Sequence, residues 1–177
     1  MKHFLLMLMF IIGNISSMFG QTETEHFVYE KEGELFRVFL KGKEEVKTLL
    51  SKVDVRLDGH GVDWIVNARA KPFQELINEK VFSKSRMEEL EKAEEPLGIY
   101  VFFNETGIVF DVYFLIPVKK KSLLTDKELY CIYQKYMGAL YDLTGVIAWD
   151  ENSLSPKERK TFLSLDYFKI PFEDLKY

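Results

Sequence analysis

Three hydrophobic rhythms succeed one another along the chain. The first is unbroken: residues 4–12 are nine apolar side chains in a row, preceded by Lys2 and followed by a weakly polar stretch ending at Gly20. A basic start, a short apolar core and a small-residue end are the parts of a secretory signal peptide. The run is too short for a spanning helix, which needs about 20 apolar residues. Residues 1–20 therefore read as an export leader cleaved near Gly20, with a cut after Ser17 as the alternative. No cysteine lies near that junction, which excludes lipid attachment there.

The second rhythm has period two or is nearly continuous, and it predicts strands. Residues 27–29 and 35–40 flank the turn-like tetrad 31–34 and read as a hairpin. Residues 53–57 alternate, residues 58–61 turn, and residues 62–66 begin either another strand or a helix. Residues 99–103 and 108–116 flank Asn104-Glu105-Thr106-Gly107, a hairpin whose last turn position suits the positive φ of Gly107. Few polar residues interrupt the second of these strands, so both of its faces are expected to be covered. Residues 146–149 form a further candidate strand. Residues 167–170 form a last one, which Pro171 limits to an edge or an end.

The third rhythm is helical. Val46, Leu49, Leu50 and Val53 form a stripe over residues 43–52. Pro72 suits a first helical turn, and Phe73, Leu76, Ile77 and Val81 would supply that helix's buried face. Ser83 or Ser85 would cap a helix over 86–92, with Met87 and Leu90 inward and Glu88, Glu89, Glu91, Glu94 and Glu95 on a solvated face ended by Pro96. Thr125-Asp126-Lys127-Glu128 has capping-box spacing, ahead of Leu129, Ile132, Tyr133, Tyr136 and Met137. Gly138 is a C-cap or close-packing point, and Ser155-Pro156 opens a last short helix. The expected fold is α+β: one domain, residues 21–177, with a mostly antiparallel sheet and several packed helices.

Composition narrows the function classes. Lys and Arg number 24 against 28 Asp and Glu, a net charge of −4 that argues against nucleic acid or an anionic membrane surface as partner. Cys131 is the only cysteine, which excludes an internal disulfide framework and a multi-cysteine zinc site. Within an apolar helical stretch its thiol is expected to act as a small buried hydrophobe. The 15 Phe and 9 Tyr are conspicuous. Tyr130, Tyr133, Tyr136 and Tyr141 fall at core spacing, although tyrosine also suits binding patches.

Candidate chemistry is sparse. Residues 21–177 contain two histidines, His26 and His60. His60 with Asp58 or Asp63, on a glycine-flanked loop, has the donors for a metal or a general base, although this spacing is also ordinary turn chemistry. Asp150-Glu151 beside Trp149 is the acid pair next to an aromatic, and Lys119-Lys120-Lys121 is a basic patch. G-x-S-x-G and both phosphate-loop patterns are absent. Neither a catalytic residue nor a cofactor is expected.

Val101, Phe103, Gly107, Val109, Asp111 and Val112 follow V-x-F-x(4)-G-x-V-x-D-V, which resembles the paired strands of the TonB C-terminal domain. Leu124-Thr125-Asp126-Lys127-Glu128-Leu129 falls where that domain's helix begins, and residues 167–170 where a later strand lies. The wider sequence is similar to small secreted proteins of unknown function from gut Bacteroidota. The chain lacks the TonB proline-rich spacer, so energy transduction does not carry over. The resemblance implies a hairpin–helix–strand fold and the pairing of a partner's strand with an open sheet edge. The expectation is an exported, non-catalytic module binding another envelope protein, with the strand of Asp111 and Tyr113 as the edge. The alternatives are a small hydrolase or metal enzyme at His60, and a ligand-binding domain with an aromatic pocket.

Overall fold

A computed structural model describes residues 21–53, 55–57, 63–143 and 163–177. Among these residues the strands are β1 (Gln21–Glu23), β2 (Phe27–Glu32), β3 (Leu35–Leu40), β4 (Val55–Leu57), β5 (Gly98–Phe103), β6 (Val109–Pro117) and β7 (Ser164–Lys169). They form one sheet in the order β1-β2-β3-β6-β5-β7-β4. Neighbours run antiparallel from β1 to β7, and β4 joins β7 in parallel. The helices are α1 (Asp63–Asn78), α2 (Lys84–Lys92) and α3 (Asp126–Tyr136), with a 3₁₀ helix at Glu44–Lys52.

Strand alternation explains how the sheet is covered on both faces. In β5, Ile99, Val101 and Phe103 enter a large core with Phe73 and Leu76 of α1, Met87 and Leu90 of α2, and Ile132 and Tyr136 of α3. Tyr100 and Phe102 point the other way, into a smaller core with Phe39, Tyr113 and Leu165 that Val46, Leu49 and Leu50 of the 3₁₀ helix cover. A strand buried on both sides reads as a nearly continuous apolar run, which is what β5 and β6 show. The two hairpins join into one sheet because Leu35–Val38 of β3 pairs with Phe114–Pro117 of β6.

Several expectations are corrected. The strand carrying Asp111 and Tyr113 is no edge: β6 pairs with β3 on one side and β5 on the other, and both residues are buried. Nor is β7 an edge, since it lies between β5 and β4, and Pro171 only marks where it stops. The sheet's outer strands among the described residues are β1 and β4, each three residues long. Pro72 lies inside α1 rather than at its start. It forfeits one backbone bond, to the carbonyl of Ala68, and the burial of Ala70, Phe73 and Leu76 around it keeps the helix intact. Val81 follows the end of that helix and is exposed. Residues 44–52 wind as 3₁₀ rather than α.

Glu95 departs from the solvated acidic face. It is buried, and one carboxylate oxygen accepts from the Leu123 N–H at 2.8 Å. Cys131 is half-buried at the margin of the large core. The capping box forms in full: Glu128 N–H donates to Thr125 Oγ1 at 3.2 Å and Thr125 N–H to Glu128 Oε2 at 2.8 Å.

Of the tyrosine stripe, Tyr133, Tyr136 and Tyr141 are buried. Burial pushes Tyr133 up to about 12, with the charges of Asp111 and Tyr130 adding to it. Burial, then the charge of Asp166, raises Tyr136 and Tyr141 well above the usual 10. Unfolded tyrosines release their protons near 10, so above that pH the unfolded chain binds fewer protons and stability falls as pH rises. Tyrosinate absorbance should therefore appear in two phases, the second coinciding with loss of near-ultraviolet circular dichroism. A single phase near pH 10 in protein that stays folded would contradict this burial.

Candidate functional site

The turn between β1 and β2 is built by Thr24. Its backbone N–H donates to the Phe27 carbonyl at 2.9 Å, and its hydroxyl accepts from the Phe27 N–H at 3.2 Å. This closure presents His26 at the start of β2, facing the first turn of α3. There Asp126 follows the Thr125 cap, where a carboxylate is favoured by the helix dipole. The His26 N–H reaches Asp126 Oδ1 at 3.3 Å, and Nδ1 of the ring pairs with Asp126 Oδ2. The imidazole lies flat on Tyr130, with ring centroids 4.1 Å apart and planes 17° from parallel.

The electrostatics follow from these contacts. Burial raises Asp126, but hydrogen bonds from Thr24 and His26 outweigh it and hold the carboxyl below the usual range. The charge then acts on its neighbour: burial first, and Asp126 second, lift the Tyr29 phenol above 10, so it stays protonated. Arg86 of α2 fixes the same helix start, donating from Nε to Glu128 at 2.8 Å and from Nη2 to the Leu123 carbonyl at 2.9 Å.

Asp126 also forms part of the wall of a cleft of about 560 Å³. Tyr29 and Phe36 of the first hairpin, Ile116 at the end of β6 and Leu124 ahead of α3 give it an apolar body. Thr22, Lys121 and Ser122 contribute polar groups. The volume lies within the range of small-molecule pockets, and so does the make-up, an apolar lining with a few placed polar atoms. The chain thus brings together a protonated phenol, an ammonium and the carboxylate that holds His26 around one concavity.

A solved structure shares this fold. It is a protein of the DUF5043 family from Bacteroides uniformis, 11% identical, matched over 88% of this chain and 92% of that chain with a TM-score of 0.51. At this identity the likeness concerns the fold alone. It comes from the Bacteroidota, the group toward which the sequence resemblance points, and its family designation carries no assigned function. No protein-family model matches the chain. No curated protein matches it either.

The residues singled out from the sequence fall differently. His60 and Asp58 lie outside the described residues, as do Trp149, Asp150 and Glu151 and the leader at 1–20; Asp63 is the first residue of α1. In the basic patch, Lys119 pairs with Glu34 at 3.0 Å and Lys120 with Glu94 at 3.5 Å, while Lys121 borders the cleft. The aromatic stripe of α3 makes core rather than pocket, apart from half-buried Tyr130 under His26. A second aromatic row lies elsewhere, on the sheet face of the 3₁₀ helix, buried at one end and exposed at the other. Tyr113, Tyr100 and Tyr167 sit opposite one another on β6, β5 and β7, with centroids 4.7 and 4.5 Å apart, and Tyr167 is 44% exposed.

His26 and Asp126 do not stand out as a pair in the sequence, because 100 residues separate them. The legible half of the signal is the capping box, which places an acid at the start of α3. The chain offers no local pattern that says which histidine meets it.

Proposed function

We propose that this is an exported module of the bacterial envelope that binds a ligand without chemically transforming it. Its recognition surface is the cleft between the first hairpin and the start of α3. The carrying observation is the cleft itself: about 560 Å³, with an apolar body formed by Tyr29, Phe36, Ile116 and Leu124 and with Lys121 and Asp126 at polar positions. Such a lining suits a small amphipathic molecule, whose apolar part is removed from water while its polar groups meet the ammonium, the phenol and the hydroxyls. Export rests on the leader at residues 1–20 and is part of the same proposal.

Strand capture at a sheet edge is the weaker alternative. The order of hairpin β5–β6, helix α3 and strand β7 supports the TonB-like reading of the architecture. Among the described residues, however, the outer strands β1 and β4 offer three residues each for pairing, and short edges are a common protection against strand addition.

The test uses the secreted protein and Thr22→Trp, which places an indole at the cleft from an exposed position on β1. Melting curves are recorded against a panel of amphipathic small molecules and envelope extracts. A ligand at a hundred times its Kd should stabilise the wild type by about 2.7 kcal/mol and have little effect on Thr22→Trp. If nothing in the panel raises the melting temperature, or if both proteins respond equally, the cleft is not the recognition surface.

A further inference from the structure

Proteins hold transition-metal ions with converging nitrogen and oxygen donors whose charge offsets that of the ion. Glu25, His26 and Asp126 meet both conditions. One oxygen of each carboxylate and one imidazole nitrogen lie within 4.8 Å of one another, and among the described residues this is the one such group of three. We propose that these side chains form a binding site for a divalent transition-metal ion, zinc in the first instance, where the β1–β2 turn meets α3.

Three features argue for it. The first is orientation. The imidazole is held by the Tyr130 ring, 4.1 Å away, and by its Nδ1 bond to Asp126. The His26 backbone N–H ties the main chain to the same carboxylate at 3.3 Å, so the ring is oriented before any ion arrives. The second is what lies between the donors. Nδ1 of His26 and Oδ2 of Asp126 share a hydrogen bond. Metal ligation requires a neutral imidazole and an ionised carboxylate. As the ion enters, the shared proton therefore leaves to water, the ring keeps its one proton on Nε2, and the two donor atoms part to admit the ion. The third is charge, since two carboxylates and a neutral imidazole balance a dication.

Donor chemistry selects the ion. Calcium takes six to eight oxygens, whereas one imidazole with two carboxylates suits zinc and its neighbours. Zinc–donor distances of about 2.0–2.2 Å require the group to adjust: the hydrogen-bonded atoms of His26 and Asp126 part slightly, and exposed Glu25 is the member placed to close on the ion. Three protein ligands leave a fourth position for water or a ligand atom, the arrangement of zinc sites that remain open. Asp126 lies on the cleft wall, so the site shares one donor residue with the cleft. The inference goes beyond the cleft-binding proposal and does not need it.

A His–Asp bond that merely ties the hairpin to the helix would make no use of Glu25, and this separates the two roles. Chelator-treated protein without a histidine tag is titrated with Zn²⁺ by calorimetry and with Co²⁺ by visible absorption. One ion per chain is expected. Glu25→Ala should weaken binding by at least the roughly 10-fold that loss of even an outer-sphere partner costs. His26→Phe, which keeps a ring on Tyr130, should abolish the cobalt spectrum, with metal-free melts showing both variants folded. Absence of uptake by the wild type would overturn the proposal, as would unchanged binding in Glu25→Ala and His26→Phe. Metal uptake without any stabilising organic ligand would sink the cleft reading alone.

Discussion

Asp166→Ala is expected to cost about 3–5 kcal/mol, because it breaks a buried ion pair from one side. Asp166 is fully buried in the middle of β7. Arg69 of α1 grips it with two bonds, Nε to Oδ2 at 2.9 Å and Nη2 to Oδ1 at 2.6 Å. The Tyr141 hydroxyl adds a third at 3.1 Å. Removing the carboxylate deprives a largely buried guanidinium, stacked over Phe168 at 5.3 Å, of its main counter-charge. A domain of this size has only about 5–15 kcal/mol of stability in all, so the melting temperature should fall by roughly 6–20 °C. The double variant Asp166→Leu with Arg69→Met should recover most of the loss, because replacing both charges removes their desolvation as well as their attraction. If the single variant melts within a degree or two of the wild type, the pair is not what joins α1 to the sheet.

The second large effect is expected at Gly107. Its φ of +83° is a conformation that costs other residues about 1–2 kcal/mol. An added Cβ would also collide with the backbone carbonyl of Tyr141. That neighbour cannot swing away, because its N–H donates to the Gly107 carbonyl at 2.8 Å. Backbone displacement of this kind adds about 1–3 kcal/mol, so Gly107→Ala should lose between about 2 and 5 kcal/mol in denaturant titrations. Gly42 supplies the control, with φ at +79° and nothing within 4 Å of the place a Cβ would take. Gly42→Ala should show the conformational cost alone, and equal losses in the two variants would show that the Tyr141 contact is not restrictive.

Gly107 also shows how far local pattern reaches. Its place at the end of the β5–β6 turn follows from Asn104 and the flanking apolar runs. The side chain of Asn104 accepts from the N–H groups of Thr106 and Ile108, each at 3.0 Å, as such turns do. The approach of Tyr141 depends on where the chain goes after α3, which no turn rule specifies. Pro72 is the converse case. Its usual position at a helix start is outweighed by tertiary burial on either side of it, because packing an apolar helix face contributes more than one missing hydrogen bond costs.

The sequence alone determined the quantities that neighbours in the chain control: the two hairpins, the capped start of α3, a serine cap ahead of α2 at Ser83 or Ser85, and the α+β character of a mostly antiparallel sheet with packed helices. These depend on periods of two and 3.6 and on the few residues that satisfy turn and cap geometry. Strand order is set otherwise. Whether β6 lies inside or at an edge is decided by which apolar faces lose most contact with water, a sum over the whole domain that leaves no local trace. The same holds for His26 with Asp126 and for Arg69 with Asp166, 100 and 97 residues apart. Only the folded sheet, with α1 and α3 packed against it, brings each pair together and so decides where the candidate site lies.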